Sequence, residues 1–491
     1  MSEEKSISYD KDLKRKLLDW EEIRQTKDPS TDEGRKHVSR LLNEVSPSFC
    51  MAKWTQLTLD LVHGTNHSCH HPKRHIIDID EIRNNPSALH NTSYKKEVRS
   101  EMLEGKRPSE CQYCWNIEDT PGEHYSDRVI KSSDPWSFPY FEKVLDCGST
   151  GNYNPHYLEV MFDKACNFSC SYCMADISSS IQKEMNDYGP YPLFFHHHRE
   201  NDNQWKRDLS AFDENPFVEA FWNWLPDIWQ GLHTLRITGG EPLLSKHTYR
   251  LLDYISLHPQ KNLTFAINSN LGIDDERIGR YLKKVKEIKE KGALFANEIY
   301  VSVDTYGEQA EYIRQGLNFG KFQKNLELIL DMKACDRMIL MVTFNLLSVP
   351  QFKDLLEYVV KLKEKHPELI LDLSYLRDPE YLRANLLKYS SDREVWFEEM
   401  KGCLLFMKEN SNSFSEHEMN KLDRIYQWMK ATEEVSSESS IMTKKMMADF
   451  YVFVNEYDKR YRKNFIEVFP ELRTFYIECK KEKFLQSFDK S

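Results

Sequence analysis

The sequence predicts an α/β protein: a partial (β/α)6, TIM-like barrel with a small N-terminal metal-binding module and a C-terminal helical extension. Three observations carry that prediction. Short apolar segments at 157–162, 234–237, 263–267, 299–303, 338–344 and 369–376 alternate with helix-compatible stretches, which implies a parallel sheet with right-handed crossovers. Seven of the eleven cysteines fall into two spaced groups, Cys50, Cys69, Cys111 and Cys114 and then Cys166, Cys170 and Cys173. Beyond residue 387 the text reads as helix, with an acidic, Ser-rich break at 433–440. The resulting division is a helical arm (1–45), a four-cysteine metal module (46–125), a connector (126–154), the barrel core (155–386) and the helical extension (387–491).

Composition bounds the function. Over 491 residues, 40% hydrophobic and 30% charged side chains are globular values. A net charge of −11 repels a phosphate backbone and argues against bulk nucleic-acid binding. There is no membrane-length apolar run and no signal-peptide core, so a cytoplasmic protein without membrane association is expected. An odd number of cysteines there points to metal rather than disulfides. The isolated Cys147, Cys335, Cys403 and Cys479 are read as buried small hydrophobes.

In chain order, 9–42 is helix-compatible, and 54–61 alternates apolar and polar before a turn at His63-Gly64-Thr65-Asn66. Helical pieces at 80–84 and 94–104 lead to Cys111-x2-Cys114. Four thiolates suit zinc and a 4Fe-4S cube alike, and a unit this small gains most of its stability from a metal. His67, His70 and His71 are assigned to hydrogen bonding or surface exposure. Residues 116–155, rich in Pro, Gly, Ser and Asn, read as a draped connector.

The core opens on Cys166-x3-Cys170-x2-Cys173, directly after a buried strand. Three thiolates leave one iron of a cube without a protein ligand, and an open position is where a substrate or cofactor binds. The insert at 186–216, with His196-His197-His198, is expected to be a substrate or lid segment, the histidines themselves solvated. Polar groups gather where strands should end: Thr238-Gly239-Gly240-Glu241, Asn268-Ser269-Asn270, Ser302 and Asp304, and Asn345. In barrels of this type that edge carries the chemistry. Arg314 suits bidentate carboxylate binding. The stripe at 450–482 reads as packing.

The C-x3-C-x2-C loop with Tyr172 before its last cysteine resembles the radical S-adenosylmethionine (radical SAM) superfamily. The resemblance implies a catalytic 4Fe-4S cluster on Cys166, Cys170 and Cys173, with SAM on the open iron. It also implies reductive cleavage of SAM to a 5′-deoxyadenosyl radical that abstracts hydrogen, and a flavodoxin or ferredoxin as reductant. SAM would be held by Tyr172, Gly239, Gly240, Glu241, Asn268, Ser269, Ser302, Asp304 and Arg314. The four-cysteine module resembles SPASM or twitch auxiliary-cluster modules, although those usually follow the core; an auxiliary 4Fe-4S cluster is implied, with structural zinc as the alternative. A peptide or protein side chain is the first substrate expectation and a nucleotide or sugar the second. A non-catalytic, metal-stabilised binding protein on the same fold is the other class.

Overall fold

The computed structural model describes residues 28–122, 124–195, 207, 209, 211–431 and 437–488. The start of the expected helical arm and the His196–His198 triplet lie outside the described residues. The chain forms two compact units, 1–161 with 207–235, and 162–206 with 236–491.

In the first unit, strands β1 (Gln56–Asp60), β2 (Thr65–His67), β3 (His75–Ile76) and β4 (Tyr157–Met161) lie in the order β3-β2-β1-β4. β1 runs antiparallel to β2 (Thr58 opposite His67) and parallel to β4 (Gln56 opposite Tyr157). The strand expected from Trp54 starts two residues later, because Ala52–Thr55 is a helical turn that buries Trp54, whose indole N–H reaches Gly148 O at 2.8 Å. The stretch read as a draped connector contains helices instead, Asp127–Ser133 and Phe141–Cys147. Their Val129, Phe141, Val144 and Leu145 share a core with Val38, Leu41 and Leu42 of helix Asp32–Val45 and with Phe49. Helices of seven residues are too short to show a sustained 3.6-residue period. A helix at Pro216–Ile228, capped by Asn215, was also not expected.

The second unit contains β5 (Ser169–Cys170), β6 (Thr234–Thr238, within which the boundary between the units falls), β7 (Gln260–Ser269), β8 (Leu294–Ser302), β9 (Arg314–Gln315), β10 (Arg337–Phe344) and β11 (Ile370–Tyr375). The sheet order is β6-β7-β8-β10-β11, and β7, β8, β10 and β11 are mutually parallel. Helices Lys246–Leu257, Asp275–Glu290, Phe319–Asp331 and Phe352–Lys365 intervene, the first three N-capped by Ser245, Asp274 and Asn318. The α/β class and mostly parallel sheet are those the alternation predicted. The single helix expected over 307–333 is broken: Gly307–Ile313 ends at β9, which pairs antiparallel with β5 (Cys170 opposite Arg314).

The C-terminal residues are helical as expected: Arg393–Glu409, Glu416–Lys430, Ser437–Tyr461 and Arg473–Phe488. Ser415 and Glu418 form a capping box, and Glu418 also pairs with buried Lys363 at 2.6 Å. The last two helices bury Phe450, Phe453, Val454, Phe475 and Cys479. No helix among the described residues is long and apolar enough to cross a membrane.

Candidate active site

The three-cysteine loop lies at the C-terminal edge of the parallel strands. Cys166, Cys170 and Cys173 line one cavity of about 190 Å3, together with Thr238, Gly239, Gly240, Asn268, Ser269, Asn270, Ser302, Arg314 and Thr343. These side chains come from the ends of β6, β7, β8 and β10, far apart in sequence but adjacent in register (Met341 opposite Ser302).

Backbone contacts set the loop. Glu241 N–H donates to Ala165 O at 2.7 Å, an approach that requires Gly240, since a Cβ there would sit 2.3 Å from the same carbonyl. On the other flank Gly316, at φ 104°, lies where a Cβ would meet Asn167 O at 2.7 Å. The first turn of helix Ser179–Tyr188 grips the loop as well. Ser179 Oγ accepts from Cys166 N–H at 3.0 Å, and Ser180 and Ser178 donate to Cys166 O and Phe168 O at 2.6 and 3.2 Å. The sequence reading passed over these serines; the run Ser178-Ser179-Ser180 just after the cysteines was the signal.

Sulfur sees several donors. Phe168 N–H points to Cys166 Sγ at 3.5 Å and Arg314 Nη1 to Cys170 Sγ at 3.7 Å. Burial pushes the Cys166 thiol up to about 12, with Cys170 adding to the rise. Arg314 is almost fully buried. It bonds Asp304 Oδ1 (3.0 Å) and Tyr172 Oη (2.6 Å) through Nη2, while Tyr172 O–H donates to Asp304 Oδ2 at 2.9 Å. Arg314 Nε also lies 2.9 Å from Asp304 Oδ2, close enough for ion pairing but off the angle of a hydrogen bond. Thr343 N–H completes Asp304 at 3.1 Å. Burial opposes the Arg314 charge, but Asp304, Tyr172 and Cys170 outweigh it and hold the guanidinium well above its ordinary value. Arg314 therefore reaches the cavity as part of a closed Arg–Asp–Tyr group.

Glu241 takes a different position from the one its motif suggests. Its carboxylate accepts from Leu243 N (3.0 Å), Ser269 Oγ (2.9 Å) and Asn270 N (2.6 Å), clasping the ends of β6 and β7, while Gly239 and Gly240 face the cavity. Burial pushes its carboxyl up to about 7 against these hydrogen bonds. Thr343 was not expected at the site, and Asn345 caps a short helical turn through Leu347 N.

In the first unit all four predicted cysteines come together. Cys50, Cys69, Cys111 and Cys114 line a second, small cavity of about 20 Å3, with Ala52, Met102, Tyr113 and Trp115 as apolar walls. Lys53, bonded to Glu110, stands at its edge. Burial raises all four thiols, Cys114 to about 12; Cys69 raises Cys111 further, Cys69 and Cys111 raise Cys114, and all three raise Cys50. His71 bonds Asp127 at 2.8 Å and stacks on Tyr113, and His67 bonds Cys69 O. Among the described residues no three His, Cys, Asp or Glu side chains form a group able to hold a single metal ion.

Residues 160–359 match the family model of the radical SAM superfamily. A GTP 3',8-cyclase of Campylobacter lari (strain RM2100 / D67 / ATCC BAA-1060) is 25% identical over 253 residues, 48% of this chain and 63% of that protein. A GTP 3',8-cyclase of Campylobacter jejuni subsp. doylei is 31% identical over 152 residues, 30% of this chain and 35% of that protein. The chain thus spans less than two thirds of either relative. Among solved structures, native anSMEcpe with bound AdoMet and Kp18Cys peptide is 16% identical, covering 52% of this chain and 62% of that one at a TM-score of 0.32. Native anSMEcpe with bound AdoMet is 14% identical, covering 68% and 97% at 0.29.

Proposed function

Residues 160–359 belong to the radical SAM superfamily, and from that premise we propose that the chain is an iron–sulfur enzyme that abstracts hydrogen from its substrate. The observation that carries the reading is the convergence of Cys166, Cys170 and Cys173 on one polar cavity, with a fourth side of that cavity formed by strand ends that supply no thiol. The donor set fits a cube bound through three irons, because sulfur ligands, nearby N–H donors and a polar open side are all present. When bound, cluster and SAM supply one-electron cleavage of a sulfonium. The chain's own residues hold and orient. Cys166, Cys170 and Cys173 would ligate the cluster; Gly239, Gly240, Asn268, Ser269, Ser302 and Thr343 offer backbone and short polar groups to SAM. The Tyr172–Asp304–Arg314 group presents a fixed cation beside Cys170. Glu241 acts on SAM through the loops it clasps. The electron comes from a flavodoxin or ferredoxin.

The four-cysteine cavity fits an auxiliary 4Fe-4S cluster. Four thiolates suit a cube and zinc alike, and the resemblance of this cysteine group to auxiliary-cluster modules favours the cube. The proposed substrate is a peptide or protein side chain, in keeping with the resemblance of this cysteine group to auxiliary-cluster modules. The cyclase relatives, 25% identical over 253 residues, favour a nucleotide as the second reading.

The test is anaerobic reconstitution with iron and sulfide, a count of iron, sulfide and zinc, then dithionite and SAM with assay of 5′-deoxyadenosine. About eight irons per chain with product is the expected result. About four irons, one zinc and product would assign the four-cysteine site to structural zinc. No product after full iron loading would sink the enzyme reading. Stimulation of SAM turnover by GTP but not by peptides would move the substrate to the nucleotide class.

A further inference from the structure

The three-cysteine loop has little to hold it by itself. Its only sheet contact is β5 with β9, two residues paired with two, extended by one bond from Ser171 N–H to Ile313 O at 2.7 Å. A ladder this short has no independent stability in water. Besides the strand-end contacts of Glu241 and Asn270, two elements bear on it: the chain 312–316, which carries β9 and Arg314, and helix Ser179–Tyr188, whose first turn bonds Cys166. Both are tied to the same short stretch of the C-terminal extension.

On the β9 side, Tyr312 is 1% exposed and donates its O–H to Asp458 Oδ1 at 2.7 Å, while Tyr457 O–H donates to Tyr312 O at 2.8 Å. Lys463 Nζ adds a bond to Glu311 O at 2.8 Å. The Tyr312 ring packs among Tyr457, Phe465 and Phe469. On the other side Glu184, in the middle of helix Ser179–Tyr188, is buried and meets Arg460 Nη1 at 3.2 Å, both side chains only 3% exposed. Tyr461 and Tyr191 donate to the same carboxylate at 2.7 and 2.5 Å, and the Arg460 guanidinium lies 3.7 Å over the Tyr191 ring. Asp458 and Arg460, two positions apart on one helix, thus reach the two separate elements that fix the loop.

We propose that residues 457–461 are a built-in strap that positions the three-cysteine loop, with Asp458 acting through Tyr312 on the strand facing Cys170 and Arg460 acting through Glu184 on the helix that holds Cys166. This gives part of the C-terminal extension, which lies outside the family match, a function at the site. A buried charge pair is costly to break, because losing one partner strands the other charge away from water. Asp458 and Arg460 are positioning residues, since neither lines the cavity. The functional half of the proposal rests on the reading of Cys166, Cys170 and Cys173 as cluster ligands; the mechanical half does not.

The experiment uses the full chain with Tyr312→Phe and Tyr461→Phe, singly and combined. Each deletes one hydroxyl of the strap and leaves its ring in place. Tyr281→Phe is the control: as buried as Tyr312 and in the same unit, Tyr281 accepts a hydrogen bond from Asn297 at 3.3 Å, away from the loop. Amide hydrogen exchange across 164–180 is measured before any iron is added. The strap predicts exchange about five-fold or more faster there in the double variant, within the usual range of coupling between sites, and unchanged in Tyr281→Phe. Equal exchange in double variant, control and wild type overturns it. If the double variant does not fold, each single variant is read against the same criterion.

After reconstitution, the double variant should bind SAM about five-fold or more weakly, and its reduced-cluster EPR signal should respond differently to SAM, at wild-type iron content. Faster exchange with unaltered SAM affinity and EPR would overturn the functional half alone. Failure of the wild type to take up iron would instead remove the cluster reading, and the exchange data would still decide the strap.

Discussion

The pair Asp304 and Arg314 offers a quantitative test of how the cavity wall is built. Asp304 is fully buried and Arg314 is 6% exposed, joined by contacts of 2.9 and 3.0 Å, with Tyr172 and Thr343 N–H filling the remaining acceptor positions. Asp304→Asn removes the countercharge and turns an amide N–H2 toward a guanidinium, donor against donor. Leaving one buried charge without its partner costs about 3–5 kcal/mol. Arg314→Met leaves the carboxylate with the Tyr172 hydroxyl and the Thr343 amide, so the cost falls at the lower end, about 3 kcal/mol. Once both charges are gone the second change costs little, and the double variant should be destabilised by about as much as one single variant, a coupling of about 3–5 kcal/mol. Urea unfolding of the iron-free protein, followed by circular dichroism and tryptophan fluorescence, measures all three. The argument also requires little pH dependence of the coupling around neutrality, because Arg314 is held well above its ordinary value and burial keeps Tyr172 protonated. Strictly additive single-variant costs would refute the closed-group description and return Arg314 to a free arm in the cavity.

Glu241 should impose a pH dependence of the opposite kind. Its carboxyl is raised from 4.5 to about 7 by burial, so its stabilising contribution is complete below about pH 4.5 and is lost as pH rises through about 7, a loss of about 3 kcal/mol. Glu241→Gln should therefore flatten the change in urea midpoint between about pH 5 and pH 8; an unchanged profile would show that the carboxylate is not the cause. Gly240→Ala places a methyl 2.3 Å from a backbone oxygen that cannot rotate away. That variant should lose iron at the three-cysteine loop while the four-cysteine site, in the other unit, keeps its metal, as metal counting would show. Cys170→Ala is expected to abolish 5′-deoxyadenosine formation with the four-cysteine metal retained; persistent product would end the assignment of the loop.

What the sequence made legible follows from the range of the interactions involved. The parallel α/β core was readable because apolar strands alternate with helical stretches, as in β10, where Met338, Ile339 and Leu340 are a buried run and Val342 and Phe344 alternate with the less buried Met341 and Thr343. The cysteines were readable because ligand spacing is local, and both groups do assemble on single cavities. The helices at Asp127–Ser133 and Phe141–Cys147 escaped because their identity as core depends on Val38 and Leu42, about a hundred positions earlier. Glu241 shows the limit of reading a motif. The sequence shows a carboxylate beside two glycines, but only the fold shows that Ser269 and Asn270 turn that carboxylate inward and leave the glycine backbone for the cavity.

The same limit explains why the C-terminal extension carried no functional signal. Asp458 and Tyr312 are 146 residues apart and Arg460 and Glu184 are 276 apart, and neither pair has a spacing that a local pattern can report. Taken alone, residues 450–482 are an amphipathic stripe with charges interspersed, which is how a packing helix reads. Yet Arg460 is a buried charge and Asp458 a half-buried one, and taking a charge out of water is costly unless it is paired. Their partners happen to be the two elements on either flank of the cysteine loop. A loop that must present three thiolates to one cluster gains from rigid elements around it, since a site displaced by about 1 Å loses much of its function. The two-residue ladder of β5 and β9 cannot supply that rigidity, and the buried contacts of residues 457–461 can. If residues 457–461 strap the loop as proposed, a chain cut at residue 359 would keep Cys166, Cys170 and Cys173 and the contacts of Ser179 and Glu241 to their loop, and would lose those of Asp458 and Arg460 to Tyr312 and Glu184.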